Sequence, residues 1–265
     1  FITAYDHAAD TLKNTVLNYN NDINFIIRQF PFFFSAGIAD TTQQKTEIFR
    51  LRHQVYCEEL CFEPLKEDCL ESDQFDLRSV HCAIRHQGSS QLAGTLRIIT
   101  SQHADELLPI EQHFSDSIQN SLLAPAAFPR QHICEISRLA VPEIFRRRQK
   151  NLPQNISSDL SNIKYLPENH CYPLIAIALY LIAALITQST QRFHVYVMVE
   201  PGLARILQRI GINLQCIGSA IQFNGNRAPY YLDARTIRHT LQQLYRPLQE
   251  QLSRQLFAEQ YHVAI

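Results

Sequence analysis

The sequence predicts an α+β fold, a mixed central sheet flanked by helices, and three observations predict it. "SVHCAIRH" and "QLAGTLRIIT" are two strand-like runs around Gly88-Ser89-Ser90, the pattern of an antiparallel hairpin. "HICEISRLAV", stopped by Pro142, and "RFHVYVMV" are strands separated by an apolar helical stretch, so one strand is reached through a helix. "IQFNGNRAPYYL" then closes the sheet.

Residues 1–30 read as one or two helices within an N-terminal helical extension spanning 1–40, and "FPFFFS" marks a packed transition. Thr46 to Leu60 has Thr46 as cap and an apolar stripe at Ile48, Leu51, Val55 and Tyr56, which is helical spacing. A loop containing Pro64 and acidic residues runs to Asp76, and 103–125 is rich in helix formers. Residues 142–170, polar with two prolines between Glu143 and Asn169, read as a mobile loop. The next helices cover 171–187 and "EPGLARILQRIGI", the latter opened by Pro201 and closed by Gly211. The segment 234–265 reads as a C-terminal helix, amphipathic over 234–258.

With 265 residues, 46% hydrophobic, the chain is long enough for one elaborated domain over 1–265. A net charge of -1 gives no general field for nucleic acid. Seven cysteines, an odd number in a chain too large to need stapling, read as reduced thiols of a cytoplasmic protein. No CxxC, HExxH, GxGxxG or Walker motif is present, so neither a metal site nor a nucleotide-binding Rossmann domain is expected. The start at Phe1 reads as trimmed, and the residues after it carry no signal-peptide pattern. Cys171 to Ile186 carries no charge, but its 16 residues fall short of the about 20 needed to cross a bilayer. A buried core helix is expected there, and peripheral membrane contact stays open.

The polar residues pose the sharper question. Arg52 lies within the apolar stripe of its helix, and an inward guanidinium demands an acid, with Glu71, Asp73 and Asp76 nearest in sequence. Arg97 interrupts a strand otherwise apolar at Leu92, Leu96 and Ile98. Glu135 and Arg138 are three apart on one strand and would face opposite sides unless a bulge at or beside Ser137, within 133–141, turned both toward one cleft. One reading is a structural ion network that positions a helix on the sheet. The other is a site, which so many charges on a helix, a loop and two strands favour, because apolar replacement of buried pairs is often neutral or stabilising.

These residues resemble a family. Arg52, Tyr56, Phe62, Asp73 and Asp76 in "DQFD", Arg97, and Glu135 with Arg138 in "EISRLAV" look like the signature of acyl-homoserine lactone synthases, whose fold is similar to the Gcn5-related N-acetyltransferases (GNAT). The aromatic pair departs from the usual Phe and Trp, and the chain has no tryptophan. "EPGLARILQRIGI" and "NRAPYYLD" look more like N-acyl amino acid synthases and, most closely, the acyltransferases associated with the PEP-CTERM/exosortase system. The resemblance spans roughly 47 to 233.

The resemblance implies an N-acyltransferase that moves a long-chain acyl group from the phosphopantetheine of acyl carrier protein to a small amine acceptor, with no resident cofactor. Glu135 and Arg138 would be catalytic, Glu135 as base; Arg52, Tyr56, Phe62, Asp73, Asp76 and Arg97 would bind substrate. Arg97 or Arg138 would hold an acceptor carboxylate, and Asp73, Asp76 and Arg52 would order the roof of the cleft. The Gly-rich pyrophosphate loop usual in acetyltransferases is replaced by Pro142 and "FRRRQK", which makes acyl-CoA the less natural donor. Arg146, Arg147, Arg148 and Lys150 suit the acidic face of a carrier protein. Cys134 reads as a packed thiol, and 171–186 with 30–34 offers lining for an acyl chain. The alternatives are a lactone synthase using S-adenosylmethionine and a non-catalytic acyl-carrier or lipid-binding relative.

Overall fold

A computed structural model describes residues 23–146 and 168–258. Helix α1 covers 23–33 and runs directly into strand β1, Phe34–Ile38. The helical extension expected over 1–40 is therefore corrected at its end: Phe34–Ile38 pairs along β2 as an edge strand. Helix α2, Thr42–His53, is capped by Thr41 rather than Thr46, because the Thr41 side chain accepts from the Gln44 N–H while Gln44 accepts from the Thr41 N–H.

Strands β2 (Ser79–His86) and β3 (Leu92–Thr100) form the expected hairpin. Short helix α3 (Pro109–Phe114) and several single 3₁₀ turns replace a longer helix between β3 and β4. Strand β4 (Ile133–Ala140) is followed by α4 (Glu143–Arg146), α5 (Pro173–Ser189), β5 (His194–Val199) and α6 (Pro201–Ile210). Two-residue strands β6 (Gln215–Cys216) and β7 (Ile221–Gln222) and the longer β8 (Asn226–Asp233) complete the sheet. Residues 234–258 are not one helix: α7 (Ile237–Thr240) and α8 (Arg246–Leu256) are separated by an extended Leu241 and Gln242, with Pro247 opening α8.

The sheet order is β1-β2-β3-β4-β5-β8-β6, with β7 on β8. Every pair is antiparallel except β4 and β5, which are parallel and joined through α5. That exception shapes the molecule. The β4/β5 register runs from Ile133↔His194 to Ile136↔Val197 and then stops, although both strands continue. A cleft opens where they part.

The faces of β3 divide the interior. Leu96 and Ile98 join Leu174, Ile175, Ala178, Leu179 and Ile182 of α5 in the main core, while Arg97 turns to the α2 side. Because sheet and α8 cover it from both sides, α5 is apolar nearly all round, as a core helix should be. No helix among the described residues is long and apolar enough to cross a membrane. Helix α6 closes at Gly211, whose φ of 98° is left-handed and whose missing Cβ would otherwise collide with the Thr240 carbonyl. Gly211→Ala should lower stability by about 1–3 kcal/mol in denaturant unfolding.

Candidate active site

Arg52 is the best-buried charge among the described residues, with 0% exposure. Its Nε donates to Glu71 at 2.5 Å, and its Nη1 and Nη2 donate to Asp76 at 2.7 and 3.2 Å. Burial opposes its charge, but Glu71 and Asp76 outweigh that and hold its pKa above the ordinary arginine value. The acids are themselves fixed by the backbone. Glu71 N–H donates to the Phe49 carbonyl of α2. The spacing of "DQFD" is a capping box: Asp73 accepts from the Phe75 N–H and Asp76 from the Asp73 N–H, around a 3₁₀ helix at Gln74–Arg78.

Arg97, 2% exposed, donates from Nη1 to Asp73 at 2.6 Å and Asp76 at 2.8 Å and from Nε to Ser137. Burial would raise the carboxyl pKa of Asp76, but Arg52 and Arg97 hold it far below the usual range; Asp73 is likewise lowered, chiefly by Arg97 against burial. Nearby His81 is buried and pushed down to about 4, so it is neutral at pH 7.

The expected bulge is present. Thr95 pairs with Ala140 and Arg97 with Ser137, so Arg138 and Leu139 together face Leu96. Arg138 is left-handed at φ 52°, an unusual conformation for a residue with a Cβ. It is held from several sides: Nε donates to Glu71 at 3.1 Å, Nη2 to Glu63 at 3.3 Å, and the guanidinium lies 5.5 Å from the centre of the Tyr56 ring. Tyr56 in turn donates its hydroxyl to the Leu139 carbonyl at 2.7 Å. The π-helical turn Gln54–Glu59 that continues α2 carries Tyr56 to this position.

Where β4 and β5 diverge lies a cavity of about 420 Å³. Its polar wall includes Tyr56, Asp73, Arg97, Glu135, Arg138 and Arg227; Phe75, Phe114, Tyr180, Leu203 and Phe223 supply much of the rest. Glu135 is 3% exposed and accepts from the Ile110 N–H of α3 at 2.7 Å. Burial pushes its carboxyl up to about 8, against the opposing pull of the Ile110 N–H and of Arg97. The cavity thus holds a mostly neutral carboxyl beside the ionised Asp73, the separation that assigns proton-transfer roles.

Of the residues singled out in the sequence, Tyr56, Asp73, Arg97, Glu135 and Arg138 reach the cavity wall. Arg52 and Asp76 stand behind it as the ion network. Phe62 packs beside Leu51, Val55, Tyr56 and Ala140 and is off the wall. Arg97 and Arg138 do not present the two-bond edge expected for an acceptor carboxylate, since each retains only one nitrogen without a partner among the described residues. Arg146 is ion-paired with Glu59, which also accepts from the Glu143 N–H; Arg147, Arg148 and Lys150 lie outside the described residues. Cys134 is fully buried, and burial pushes its thiol up to about 12, which suits packing and not nucleophilic attack. Phe114, Phe223, Leu203 and Arg227 were not identified as site residues from sequence; of the acyl-chain lining expected from 171–186 and 30–34, Tyr180 reaches the wall and 30–34 does not. Arg227, the one cation of its strand and next to the apolar run Ala228–Leu232, was the readable signal. Among the described residues no cluster of His, Cys, Asp or Glu suits a metal ion.

Asp76→Asn leaves Arg52 and Arg97 short of charge compensation and should cost about 3–5 kcal/mol at pH 7. Because the folded pKa values of Asp73 and Asp76 are lowered, their stabilisation is complete above the ordinary carboxylate range and is lost as pH falls through the folded values. Denaturant unfolding from pH 7 to pH 2 should show a steeper acid loss in the wild type than in D76N.

Residues 51–152 match the acetyltransferase (GNAT) domain family. No curated protein matches the chain in sequence. Among solved structures the chain is similar to the AHL synthase LasI, at 18% identity and a TM-score of 0.53 over 78% of this chain and 93% of that one. TofI, in a ternary complex with an inhibitor and MTA, gives 15% identity and 0.55 over 78% and 95%. The CoA-dependent acyl-homoserine lactone synthase BjaI, with SAM and isopentyl-CoA, gives 13% and 0.54 over 81% and 89%. The fold of this chain, a mostly antiparallel sheet split at one parallel pair and flanked by helices, is the GNAT fold.

Proposed function

We propose that the cavity is the active site of an N-acyltransferase that moves a long-chain acyl group from the phosphopantetheine of an acyl carrier protein to the amine of an amino acid or a similar small acceptor. The observation that carries this reading is Glu135, a buried carboxyl raised to about 8 on the wall of a cavity at the β4/β5 split. A general base works best with a pKa near the operating pH, and an amine attacks only when neutral.

In the reaction, the acceptor nitrogen bonds to the thioester carbon and passes a proton to the ionised form of Glu135, directly or through one water. The carbon–sulfur bond then breaks, and Glu135 returns the proton to the departing sulfur, leaving an amide and a free thiol. Charge developing on the thioester oxygen is met by backbone N–H groups of the bulged stretch Ser137–Leu139, beyond the last β4/β5 pair. Arg52, Asp73, Asp76 and Arg97 hold the loop over the cavity, and the apolar wall takes the chain next to the thioester. The donor assignment rests on the segment after β4. Pro142 stands where a Gly-rich loop would offer free amides, and the next amide, at Glu143, already donates to Glu59.

The test is to incubate the protein with long-chain acyl carrier protein and a pool of amino acids or, separately, S-adenosylmethionine, following free thiol and product mass together. Acceptor-dependent thiol release with a new N-acyl amino acid mass is expected. A lactone product with S-adenosylmethionine alone would replace this reading by the lactone synthase. Binding of the acyl carrier without release would replace it by a non-catalytic module. Glu135→Gln should lower thiol release by about 10²–10⁴-fold while the unfolding midpoint stays unchanged or rises. The rise has a physical basis: the raised carboxyl disfavours folding at every pH above its unfolded value, and the amide removes that cost. Full activity in E135Q would remove the base.

A further inference from the structure

Three arginines line the cavity, Arg97, Arg138 and Arg227, and they differ in what their nitrogens already hold. Arg97 binds Asp73, Asp76 and Ser137, and Arg138 binds Glu71 and Glu63. Arg227 lies on β8, opposite Ile221 of β7, one residue beyond the start of the strand. Its Nε donates to the Asn224 carbonyl at 3.1 Å, a bond that fixes the side chain to its own hairpin turn. Neither of its terminal nitrogens has a partner among the described residues, and no described carboxylate lies within ion-pairing distance. Glu200, also on the lining, packs against Gly225 instead.

A half-buried guanidinium anchored through Nε and open at Nη1 and Nη2 presents two parallel donors in a fixed plane. That is the edge which matches a carboxylate, and pre-anchoring reduces the entropy lost on binding. The side chain shares the cavity lining with Tyr56 and Tyr180 of the opposite elements. We infer that Arg227 is the anion receptor of the cavity and restricts the acceptor to amines that carry a carboxylate. The inference rests on the acyltransferase reading above and deepens it by naming the acceptor class and the residue that selects it. Arg227 is a specificity-determining residue here, and Glu135 keeps the proton chemistry.

A binding experiment tests this without turnover. N-hexanoylglycine carries the carboxylate of such a product, and N-methylhexanamide is its decarboxylated counterpart. Calorimetry should show the wild type binding the acid at least about tenfold more tightly than the neutral amide, an effect of the size expected for a charge-assisted pair. R227Q retains a donor for Asn224 and loses the charge, so the two ligands should bind it alike; R227K should recover part of the preference. Equal binding or no binding in the wild type, or an undiminished preference in R227Q, overturns the inference. So does a preference that survives in R227Q while affinity for free phosphopantetheine falls, because the anion received would then be the donor's phosphate. The two levels fail separately. Glu135-dependent transfer to carboxylate-free amines alone would leave the acyltransferase standing and remove this role for Arg227, whereas absence of any transfer with the acid preference intact would remove the acyltransferase.

Discussion

The burial of Arg52 is the constraint on which the rest of this site depends. A guanidinium with no exposure on the inner face of α2 is tolerable only if acids meet it, and the one acid of the helix itself, Glu47, is paired with Arg85. The chain after the π-turn therefore has to return over β3, bringing Glu71 and Asp76 against Arg52. Once there, the same loop supplies Asp73 to Arg97 and Glu71 to Arg138, so one helix, one loop and two strands are tied by shared carboxylates. Removal of any one partner leaves another charge uncompensated, which makes the network a unit rather than a sum of pairs.

The network also explains how a left-handed arginine persists at the bulge. Arg138 adopts a backbone conformation that usually costs about 1–3 kcal/mol for a residue with a side chain. Two carboxylates and the Tyr56 ring hold the guanidinium, while the Tyr56 hydroxyl holds the next carbonyl. The bulge thereby ends the parallel pairing and opens the cavity. Glu135, one turn of the pleat before it, is left inside with only a backbone N–H for company. The arginines that would have ionised it are already matched by other acids.

Much of this was readable in the sequence because buried charge leaves few solutions. Arg52 in an apolar stripe implies acids, and Glu135 three residues from Arg138 implies a bulge if both serve one cleft. The hairpin at Gly88 and the limits of α6 at Pro201 and Gly211 are set by local chemistry in the same way. Other features depend on tertiary context. "FSAGI" became strand β1 because the β2 edge was there to pair with, and nothing in five mixed residues announces that. The helical pattern after Ala234 is interrupted because Leu241 packs into the core beneath α6, where Gly211 makes room for the Thr240 carbonyl. The π-turn under Tyr56 and the free end of Arg227 are likewise set by what surrounds them, so single-chain spacing could place neither in the cavity.

The chemistry proposed for the cavity turns on Glu135 exchanging a proton near neutral pH. The most direct measurement is a carbon-13 titration of the glutamate side-chain carboxyls, with the Glu135 resonance assigned by its loss in E135Q. A single titration with a midpoint near 8 is expected. A Glu135 resonance that titrates in the ordinary carboxylate range would place a permanent anion on the cavity wall and contradict the assignment of Glu135 as the base.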